Sequence, residues 1–385
     1  MRVLIVTNIP TPYRNAFFSV LSRKLNNSGG KLMVLFCAKN EPNRHWEINM
    51  NSQEFDFEFL KGMHIYFKHY FLHFNPAVTR KTEVFRPDII LYAGAWNMLT
   101  VIYSIIHNKI FRKKWKVLFW NEGHEGSILH KWGIVPKIRL HVLNIFDGFA
   151  VPNNRSISYL FDYLKVRKKP VVLLSNTVDG DFYTKPSTWN ESDTLRVKDK
   201  YKLDAKSNIC IQVAQIEDRK GVRELIDFWQ NLPNEIKEDY CLLFVGEGSL
   251  RSELERYCKK NNLNDIIFTG NRTKEEVREL LFASRFFILM TKNDPNPLTL
   301  IEASYAGLPI MTTIFAGNCD EIVFKDQNGY IADNINFSEF NNAFIKLKYL
   351  SSKPESGLIS LNNAKQNFDI NIVAQKFLAQ ITRIS

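Results

Sequence analysis

The sequence has few cysteines, and their spacing does not fit a structural zinc site. Five cysteines are scattered over 385 residues, without Cys-x-x-Cys or His-paired spacing. We therefore expect a reducing compartment and no structural zinc. Repeats of fixed period and low-complexity tracts are also missing. A chain of this length exceeds one hydrophobic core, so a globular protein of two domains is predicted.

The loop after the first predicted strand contains no glycine. The strand covers Arg2–Thr7, and the residues TNIPTPYR lead from its end into a predicted helix over 15–25. A dinucleotide-binding oxidoreductase needs glycines at this point so that its backbone can approach a pyrophosphate. The loop therefore argues against a dehydrogenase. The N-terminus also lacks the charged stretch and apolar core of a signal peptide.

Only one stretch is free of charge for long enough to raise the question of a membrane span. It runs from Ile89 to Ile106, which is 18 residues without Asp, Glu, Lys or Arg. The stretch divides into a strand over Ile89–Ala93, a turn at Gly94 and a helix from Met98. We favour this strand–turn–helix interpretation, and the membrane span is the alternative.

Acidic residues are scarce in the first 170 positions. There, 25 Lys/Arg face 11 Asp/Glu, a charge of +14, while the remaining 215 residues have 26 against 29, or −3, which together give +11. Such an excess is typical of a surface that meets a polyanion or an anionic bilayer, with ordinary solvation as the alternative. The candidate membrane-facing cations are Arg112, Lys113, Lys114, Lys116, Lys131, Lys137 and Arg139.

An aromatic cluster lies between positions 64 and 74, HIYFKHYFLHF. Two interpretations of it are open: the edge of a packed core, or an amphipathic surface that enters an interface. Under the second interpretation the apolar anchors are Tyr66, Phe67, Tyr70 and Phe71.

Strand and helix patterns alternate along the chain in two sets, which predicts two parallel α/β sheets. The polar stretch from Thr184 to Leu203 separates the sets and is predicted to connect the domains. Before it, a predicted helix carries the basic residues LKVRKK of positions 164–169.

Two loops carry ionisable residues that are candidates for a functional role, with solvated loops as the alternative. The strand Phe286–Met290 is followed by a polar loop over 291–297 and a helix from Leu298 to Ala306, so ligands are expected at this edge. Asp294 and Glu302 flank the opening, although widely spaced acids are also common on solvated surfaces. In the first half, the strand Val117–Trp120 ends in NEGHEGS, which holds Glu122, His124 and Glu125.

An ordered series of motifs resembles the retaining glycosyltransferases of the GT-B architecture, particularly glycosyltransferase family four of the bacterial surface-polysaccharide type. The motifs cover most of residues 170–330, and a weaker one lies in the first loop. They are PTPYR (Pro10–Arg14), NTVDGDFY (Asn176–Tyr183), RKG (Arg219–Gly221), FVGEGSLRSELE (Phe244–Glu255), FTGNRTKEEVRELL (Phe268–Leu281), DPNPLTLIEASYAGLPI (294–310) and FAGNCDEIV (Phe315–Val323).

The resemblance implies an α/β protein with two doubly wound Rossmann-like domains that face each other across a cleft. Residues 1–175 would bind the acceptor, and residues 176–360 would bind the nucleotide sugar. A C-terminal helix within 361–385 would return to the first domain.

The resemblance also implies residue roles. Catalytic candidates are Asp294, Glu302, Lys220, Arg219, Glu122 and His124. Donor-binding candidates are Gln215, Gly246, Gly270, Arg272, Pro297, Leu298 and Thr299. Tyr13 and Arg14 are acceptor-side candidates, and no metal ligand is expected.

Two positions depart from the family pattern. The signature of two glutamates separated by seven residues has Asp294 in the first place, one methylene shorter, which shifts the sugar contact or changes the donor. The family arginine five residues before Lys220 is Gln215, so Arg219 becomes the candidate for the missing positive charge.

The resulting hypothesis is a retaining, metal-independent glycosyltransferase without a cofactor. It would use a UDP- or GDP-linked sugar, a glycan or lipid-linked acceptor and an anionic membrane surface, but no nucleic acid. A cytoplasmic protein, peripheral on the inner face of the cell membrane, is expected. The alternatives are a GT-B epimerase or phosphorylase, and a nucleotide-sugar-binding protein without activity.

Overall fold

The computed structural model describes residues 1–42, 49–67, 70–111, 113–125, 132–204, 208–333 and 336–384. They form two compact units. Unit 1 comprises Met1–Thr177 together with Ile370–Ser385, and unit 2 comprises Val178–Asp369. Each unit contains its own sheet and its own core.

Unit 1 is built around a seven-stranded parallel sheet. The strands of the unit are β1 Arg2–Thr7, β2 Lys31–Phe36, β3 Asp56–Phe59, β4 Met63–Phe67, β5 Tyr70–Phe74, β6 Ile89–Ala93, β7 Lys116–Trp120, β8 Gly148–Val151 and β9 Val171–Leu173. The helices before the unit boundary are α1 Pro12–Asn27, α2 Ala77–Phe85, α3 Leu99–Ile110, α4 Ile134–Leu143 and α5 Asn154–Ser158. A π-helical turn, Tyr159–Tyr163, continues α5.

The order of strands in this sheet is β3-β2-β1-β6-β7-β8-β9. Apolar clusters cover both faces, and β6 is buried at every residue, because strands of a doubly covered parallel sheet have no solvated face. The winding direction reverses between β1 and β6. Ligands of such sheets bind outside the carboxyl ends of the strands at this point.

The chain region 89–106 forms β6, a turn and α3, which confirms the strand–turn–helix prediction. Within the described residues, no helix has the length and apolar character that crossing a membrane requires. The aromatic stretch before it forms an antiparallel hairpin of β4 and β5, in which His64 is opposite His73.

Unit 2 repeats the architecture with six parallel strands. They are β10 Asn208–Val213, β11 Tyr240–Val245, β12 Ile266–Gly270, β13 Phe286–Leu289, β14 Ile310–Thr313 and β15 Gly329–Ala332, in the order β12-β11-β10-β13-β14-β15. The helices are α6 Gly180–Tyr183, α7 Glu191–Lys200, α8 Val222–Asn231, α9 Asn234–Lys237, α10 Arg251–Lys260, α11 Lys274–Ala283, α12 Leu298–Tyr305, α13 Cys319–Ile322, α14 Phe337–Ser351 and α15 Pro354–Asn367. The switch point lies between β10 and β13.

The last helix, α16 Ile370–Thr382, packs in the core of unit 1. Val373, Phe377 and Ile381 recur at helical spacing and are buried, and the Phe377 ring meets that of Phe17 edge-on at 6.0 Å. The apolar face of α16 therefore packs on α1 and shields it from solvent.

Two local predictions are wrong. The polar stretch from Thr184 to Leu203 is part of unit 2: Asn190 caps α7, and the buried Val197 anchors that helix beside α11. The basic residues of 164–169 do not continue the preceding helix, because the helical turns end at Tyr163.

Candidate active site

Two loops at the switch point of unit 2 carry the predicted donor residues. One loop follows β10 and ends in the 3-10 turn Asp218–Lys220, and the other connects β13 to α12. The carbonyl oxygen of Arg219 accepts hydrogen bonds from the backbone amides of Lys292 and Asn293, at 2.9 and 3.2 Å. The hydroxyl of Thr291 donates to the same oxygen at 2.9 Å. These contacts fix one loop against the other.

Gly221 makes this approach possible. It adopts φ = 64°, and a Cβ at this position would lie 1.7 Å from the carbonyl oxygen of Met290. The left-handed backbone and the close contact both require glycine. The glycine of the RKG motif is therefore explained by packing between the two loops.

Lys220 and Asp294 form a buried ion pair between the loops. The ammonium of Lys220 contacts the Oδ2 atom of Asp294, and the two residues are 8% and 9% exposed. Burial lowers the pKa of Lys220, although the Asp294 carboxylate opposes that change. The 3-10 turn thus directs the Lys220 side chain into the interior, so this lysine is not a solvated loop residue.

Gln215, at the position of the family arginine, and Arg219, the candidate for the missing charge, lie together. The guanidinium of Arg219 donates a hydrogen bond to the side-chain oxygen of Gln215 at 2.5 Å. Arg219 is close enough for its charge to contribute to the lowered pKa of Lys220. A positive charge is therefore present beside Gln215 although Gln215 itself is neutral.

Helix α12 begins at the same edge without a side-chain cap. Pro297 is its N-cap residue, and its carbonyl oxygen accepts a hydrogen bond from Asn318 at 3.1 Å. Leu298 and Thr299 form the first turn, where backbone N–H groups have no helical partner. Such a terminus favours an anion.

Glu302 lies on the second turn of α12 and is half-buried. The hydroxyl of Tyr183 hydrogen-bonds its carboxyl group. Burial raises the pKa of Glu302 to about 7, and the hydrogen bond from Tyr183 opposes that rise. Near neutral pH the carboxyl group therefore exchanges between its neutral and charged forms.

The remaining donor candidates of unit 2 lie on the loops after β11 and β12. Gly246 has φ = 144°, and a Cβ there would lie 2.1 Å from the carbonyl oxygen of Ala214. Gly270 has φ = 76°. Arg272 donates to the carbonyl oxygen of Thr269 and lies 5.3 Å from the ring centre of Tyr201. Both loops extend from the carboxyl edge of the sheet.

Unit 1 contains a polar pocket at its own switch point. Its volume is about 390 Å³, and its lining includes Asn8, Tyr13, Arg14, Trp120 and Glu122. The buried guanidinium of Arg14 lies 3.0 Å from a carboxylate oxygen of Glu122 and 4.7 Å from the ring centre of Trp120. The predicted acceptor-side arginine and the predicted catalytic glutamate thus form one ion pair.

His124 lies on the same loop, two residues after Glu122, and is half-buried. It is not part of the described lining of the pocket. Of the two candidates named for this loop, the structure brings Glu122 together with Arg14.

The predicted basic surface is only partly as expected. Arg112 and Lys131 lie outside the described residues. Arg139 is wrong as a surface cation, because it is 6% exposed and its guanidinium lies 5.5 Å from the ring centre of Trp96. Lys113 is paired with Glu83 at 2.7 Å.

Among the described residues, no three His, Cys, Asp or Glu side chains form a group that could hold a metal ion. The sequence contains an Asp-x-Asp pattern at Asp179–Asp181. There, Asp179 accepts a hydrogen bond from the amide of Phe182 at 3.1 Å and caps α6.

Sequence reasoning missed three contributors. Tyr183 binds Glu302, Trp120 packs on Arg14, and Asn8 lines the unit 1 pocket. Each lies in or beside a motif that the sequence singles out, but its partner is distant in the chain.

Part of unit 2 is similar in sequence to a known protein family. Residues 193–356 match the family model of glycosyl transferases group 1. This match covers less than half of the chain. The matched residues include Lys220, Asp294, Glu302 and the N-terminus of α12.

The relatives and solved structures are distant in sequence. An uncharacterized glycosyltransferase of Methanocaldococcus jannaschii is 23% identical over 59% of this chain and 62% of its own length. The lipopolysaccharide glucosyltransferase WaaG of Escherichia coli is 26% identical over 36% of this chain and 37% of its own length. The chain thus spans less than two thirds of both relatives.

The structural similarity covers the whole chain. Anabaena HepE, solved with UDP, has a TM-score of 0.77 at 15% identity, with 100% of both chains covered. Its complex with UDP-glucose gives 0.73 at 16% identity, also with both chains fully covered. Together with the two parallel sheets, this confirms the predicted α/β class and GT-B architecture.

Proposed function

We propose that the protein is a retaining, metal-independent glycosyltransferase. It transfers a sugar from a nucleoside diphosphate to a glycan or lipid-linked acceptor in surface polysaccharide biosynthesis. The observation that carries the proposal is the buried Lys220, which lies between two docked loops at the sheet edge where the uncapped α12 begins. A diphosphate leaving group needs fixed positive charge of this kind.

The chemistry follows from the charge of the leaving group. The bond between the anomeric carbon and the phosphate oxygen breaks, and the acceptor oxygen forms its bond to the same face of that carbon. The acceptor proton moves to an oxygen of the departing phosphate. Lys220, Arg219 and the amides of Leu298 and Thr299 stabilise the charge that develops on the diphosphate.

The acids recognise other parts of the donor. When a diphosphate draws the ammonium of Lys220 towards itself, Asp294 becomes available to accept a hydrogen bond from a sugar hydroxyl. Glu302, as a carboxylate, accepts hydrogen bonds from the ribose. UDP is the nucleotide we favour, since the similar HepE was solved with UDP and with UDP-glucose.

The polar pocket of unit 1 is the proposed acceptor site. Arg14 and Tyr13 bind acceptor groups, and Glu122 or His124 positions a sugar hydroxyl. The support is the buried Arg14–Glu122 pair at the carboxyl edge of that sheet.

A membrane surface is the proposed partner of unit 1. Leu99, Tyr103, Ile106 and Ile110 form an exposed apolar stripe along α3, here called the α3 stripe, and all four are at least 36% exposed. Their spacing places them on one helix face. Exposed Lys109 and Lys114 are close to the end of this helix in the chain. An apolar face beside cations fits an anionic bilayer.

The proposed function is tested with a panel of UDP- and GDP-linked sugars. The donor should raise the melting temperature of the protein, and the acceptor should increase release of the nucleoside diphosphate. Stabilisation without acceptor-dependent release would indicate a binding protein. An altered nucleotide sugar among the products would indicate an epimerase. If no nucleotide or nucleotide sugar stabilises the chain, the proposal fails.

A further inference from the structure

A chain of hydrogen bonds leads from the hairpin to the unit 1 pocket. The Nδ1 atoms of His64 and His73 lie 2.8 Å apart across the β4–β5 pair. The Nε2 atom of His73 lies 3.0 Å from the Oε1 atom of Glu41. The side-chain amide of Asn8 donates to the same oxygen at 2.9 Å. Asn8 lines the pocket.

The inner residues of this hydrogen-bond chain are buried. His73 is 0% exposed and Glu41 is 7% exposed, whereas His64 is at the surface. Burying such groups costs free energy unless each is hydrogen-bonded. The hydrogen bonds therefore require one arrangement of these side chains, and they tie the orientation of Asn8 to the hairpin.

The proton positions follow from the geometry. Since the Oε1 atom of Glu41 accepts from Asn8, the Nε2 atom of His73 is the donor in its contact with that oxygen. Between His64 and His73, one Nδ1 atom carries a proton and the other accepts it. Two imidazolium rings would direct two N–H groups at each other. The contact therefore tolerates at most one positive charge.

Other titratable groups surround this chain. Tyr66 lies beside both histidines, with ring centres 6.5 Å from His64 and 6.2 Å from His73. Burial raises the pKa of Cys37 to about 12, and the nearby Glu41 charge contributes to that rise. Lys39 and Lys61 line a cavity of about 430 Å³ together with His64. Only the histidines among these groups ordinarily titrate between pH 5 and 8.

We propose that Glu41 and His73 are positioning residues that fix the side-chain amide of Asn8 in the unit 1 pocket. Because His64 and His73 share a proton, the orientation of that amide depends on pH. The consequence for acceptor binding rests on the proposed function, whereas the coupling itself does not.

Hydrogen bonds through Thr7 link the Asn8 side chain to the Arg14–Glu122 ion pair of the pocket. The Thr7 hydroxyl donates to the Oδ1 atom of Asn8 at 3.4 Å and accepts from the guanidinium of Arg14 at 3.3 Å. A change in the Asn8 amide therefore alters the polar lining on the side of the Arg14–Glu122 pair. Burial and the charge of His73 lower the pKa of His64, so this change is expected below pH of about 6.5.

The experiment follows the Asn8 side-chain amide by NMR in the full chain labelled with 15N-asparagine. The signal is assigned from its loss in Asn8→Ser. From pH 8 to pH 5 it should shift with the same midpoint as the ring of His64. In Glu41→Gln it should no longer follow that ring. A signal that is constant through the His64 transition, or that still follows it in Glu41→Gln, overturns the proposal.

Two controls keep the outcome specific. His107→Gln removes a histidine of α3 that lies 3.9 Å from Glu83 and is not part of the hydrogen-bond chain. This substitution should leave the Asn8 titration unchanged. If Glu41→Gln does not fold, His64→Gln at the exposed end must move the midpoint, and an unchanged midpoint refutes the coupling. Stabilisation by UDP is measured in parallel. Its absence in the wild type defeats the proposed function and leaves the coupling intact.

Discussion

A buried lysine that is paired with one carboxylate can bind an anionic ligand at a small cost in free energy. Desolvation favours the neutral amine and lowers the pKa of Lys220, and the Asp294 charge opposes that effect. A bound diphosphate brings more negative charge than one carboxylate and can draw the ammonium towards itself. Asp294 is then free for a neutral hydroxyl group.

The first prediction concerns this pair. Lys220→Met should lower kcat by about 10²–10³, the scale of one lost electrostatic stabiliser. Because it leaves a buried carboxylate without its cation, it should also lower the free energy of unfolding by about 3 kcal/mol. Steady-state kinetics and urea unfolding measure the two effects.

A second substitution separates stability from catalysis. Lys220→Met combined with Asp294→Asn should recover much of the stability and none of the activity. The control is Lys200→Met, which removes a lysine from an exposed pair with Glu276 and should change neither quantity appreciably. Normal turnover in a folded Lys220→Met variant would exclude its role with the diphosphate.

The pKa of Glu302, about 7, predicts how UDP binding depends on pH. Ribose hydroxyls donate to the carboxylate form, so affinity should fall by up to about tenfold per pH unit below 7. Tyr183→Phe removes the hydrogen bond that lowers this pKa and should move the transition to higher pH. Calorimetric titration from pH 5.5 to 8.5 tests both expectations, and a flat wild-type profile contradicts them.

The free energy of unfolding should depend on pH in the opposite direction to UDP affinity, and should fall as the pH rises. The folded-state pKa of Glu302 lies above its ordinary value near 4.3, so the folded protein binds more protons than the unfolded chain between those values. The contribution of Glu302 is fully present below about pH 4.3 and is lost as the pH rises through about 7. Glu302→Gln should remove this slope from the unfolding free energy.

Motifs in the sequence name single candidate residues, but they do not give the contacts of those residues. Lys220 and Asp294 are 74 positions apart, and Arg14 and Glu122 are 108 apart. Spacing along the chain gives no information about such pairs. Burial of Lys220 was missed for the same reason, because a polar loop sequence does not reveal that another loop covers it.

At the scale of elements, the docking of the two donor loops depends on Gly221. Gly221→Ala should destabilise the protein by more than the cost of a left-handed alanine, about 1 kcal/mol, since its Cβ meets the Met290 carbonyl oxygen. The matched control is Gly29→Ala, which has φ = 71° and no atom within 4 Å of the added Cβ. Equal losses of unfolding free energy would show that loop contact is unimportant.

The predicted strands were accurate where the chain is apolar throughout. The strand predicted over Phe286–Met290 ends one residue earlier, and the helix predicted over Leu298–Ala306 ends at Tyr305. Helix α7 was missed because Val197 is its single buried residue and the rest of its sequence is polar. A helix held by capping and one apolar contact has little hydrophobic periodicity to detect.

At the scale of the molecule, the charge asymmetry coincides with the α3 stripe. The first 170 residues contain 25 Lys/Arg and 11 Asp/Glu, and the stripe lies within that region. Each cation near an anionic surface contributes about 1 kcal/mol, and the contribution is screened over about 10 Å at 0.1 M salt. Cations alone would give binding that salt abolishes, whereas inserted apolar side chains would leave a part that salt does not remove.

The last prediction tests that combination with the full chain and vesicles of phosphatidylglycerol and phosphatidylcholine. The wild type should sediment with them at low salt and be largely released at high salt. Ile106→Asp/Ile110→Asp, at side chains that are 47% and 68% exposed, should reduce sedimentation at both salt concentrations. The control Ile345→Asp/Tyr349→Asp places the same charges at the same spacing on α14 of unit 2, where both side chains are also exposed, and should sediment like the wild type. If the wild type stays in the supernatant at low salt, or if the two double variants behave alike, unit 1 does not dock on the bilayer through α3.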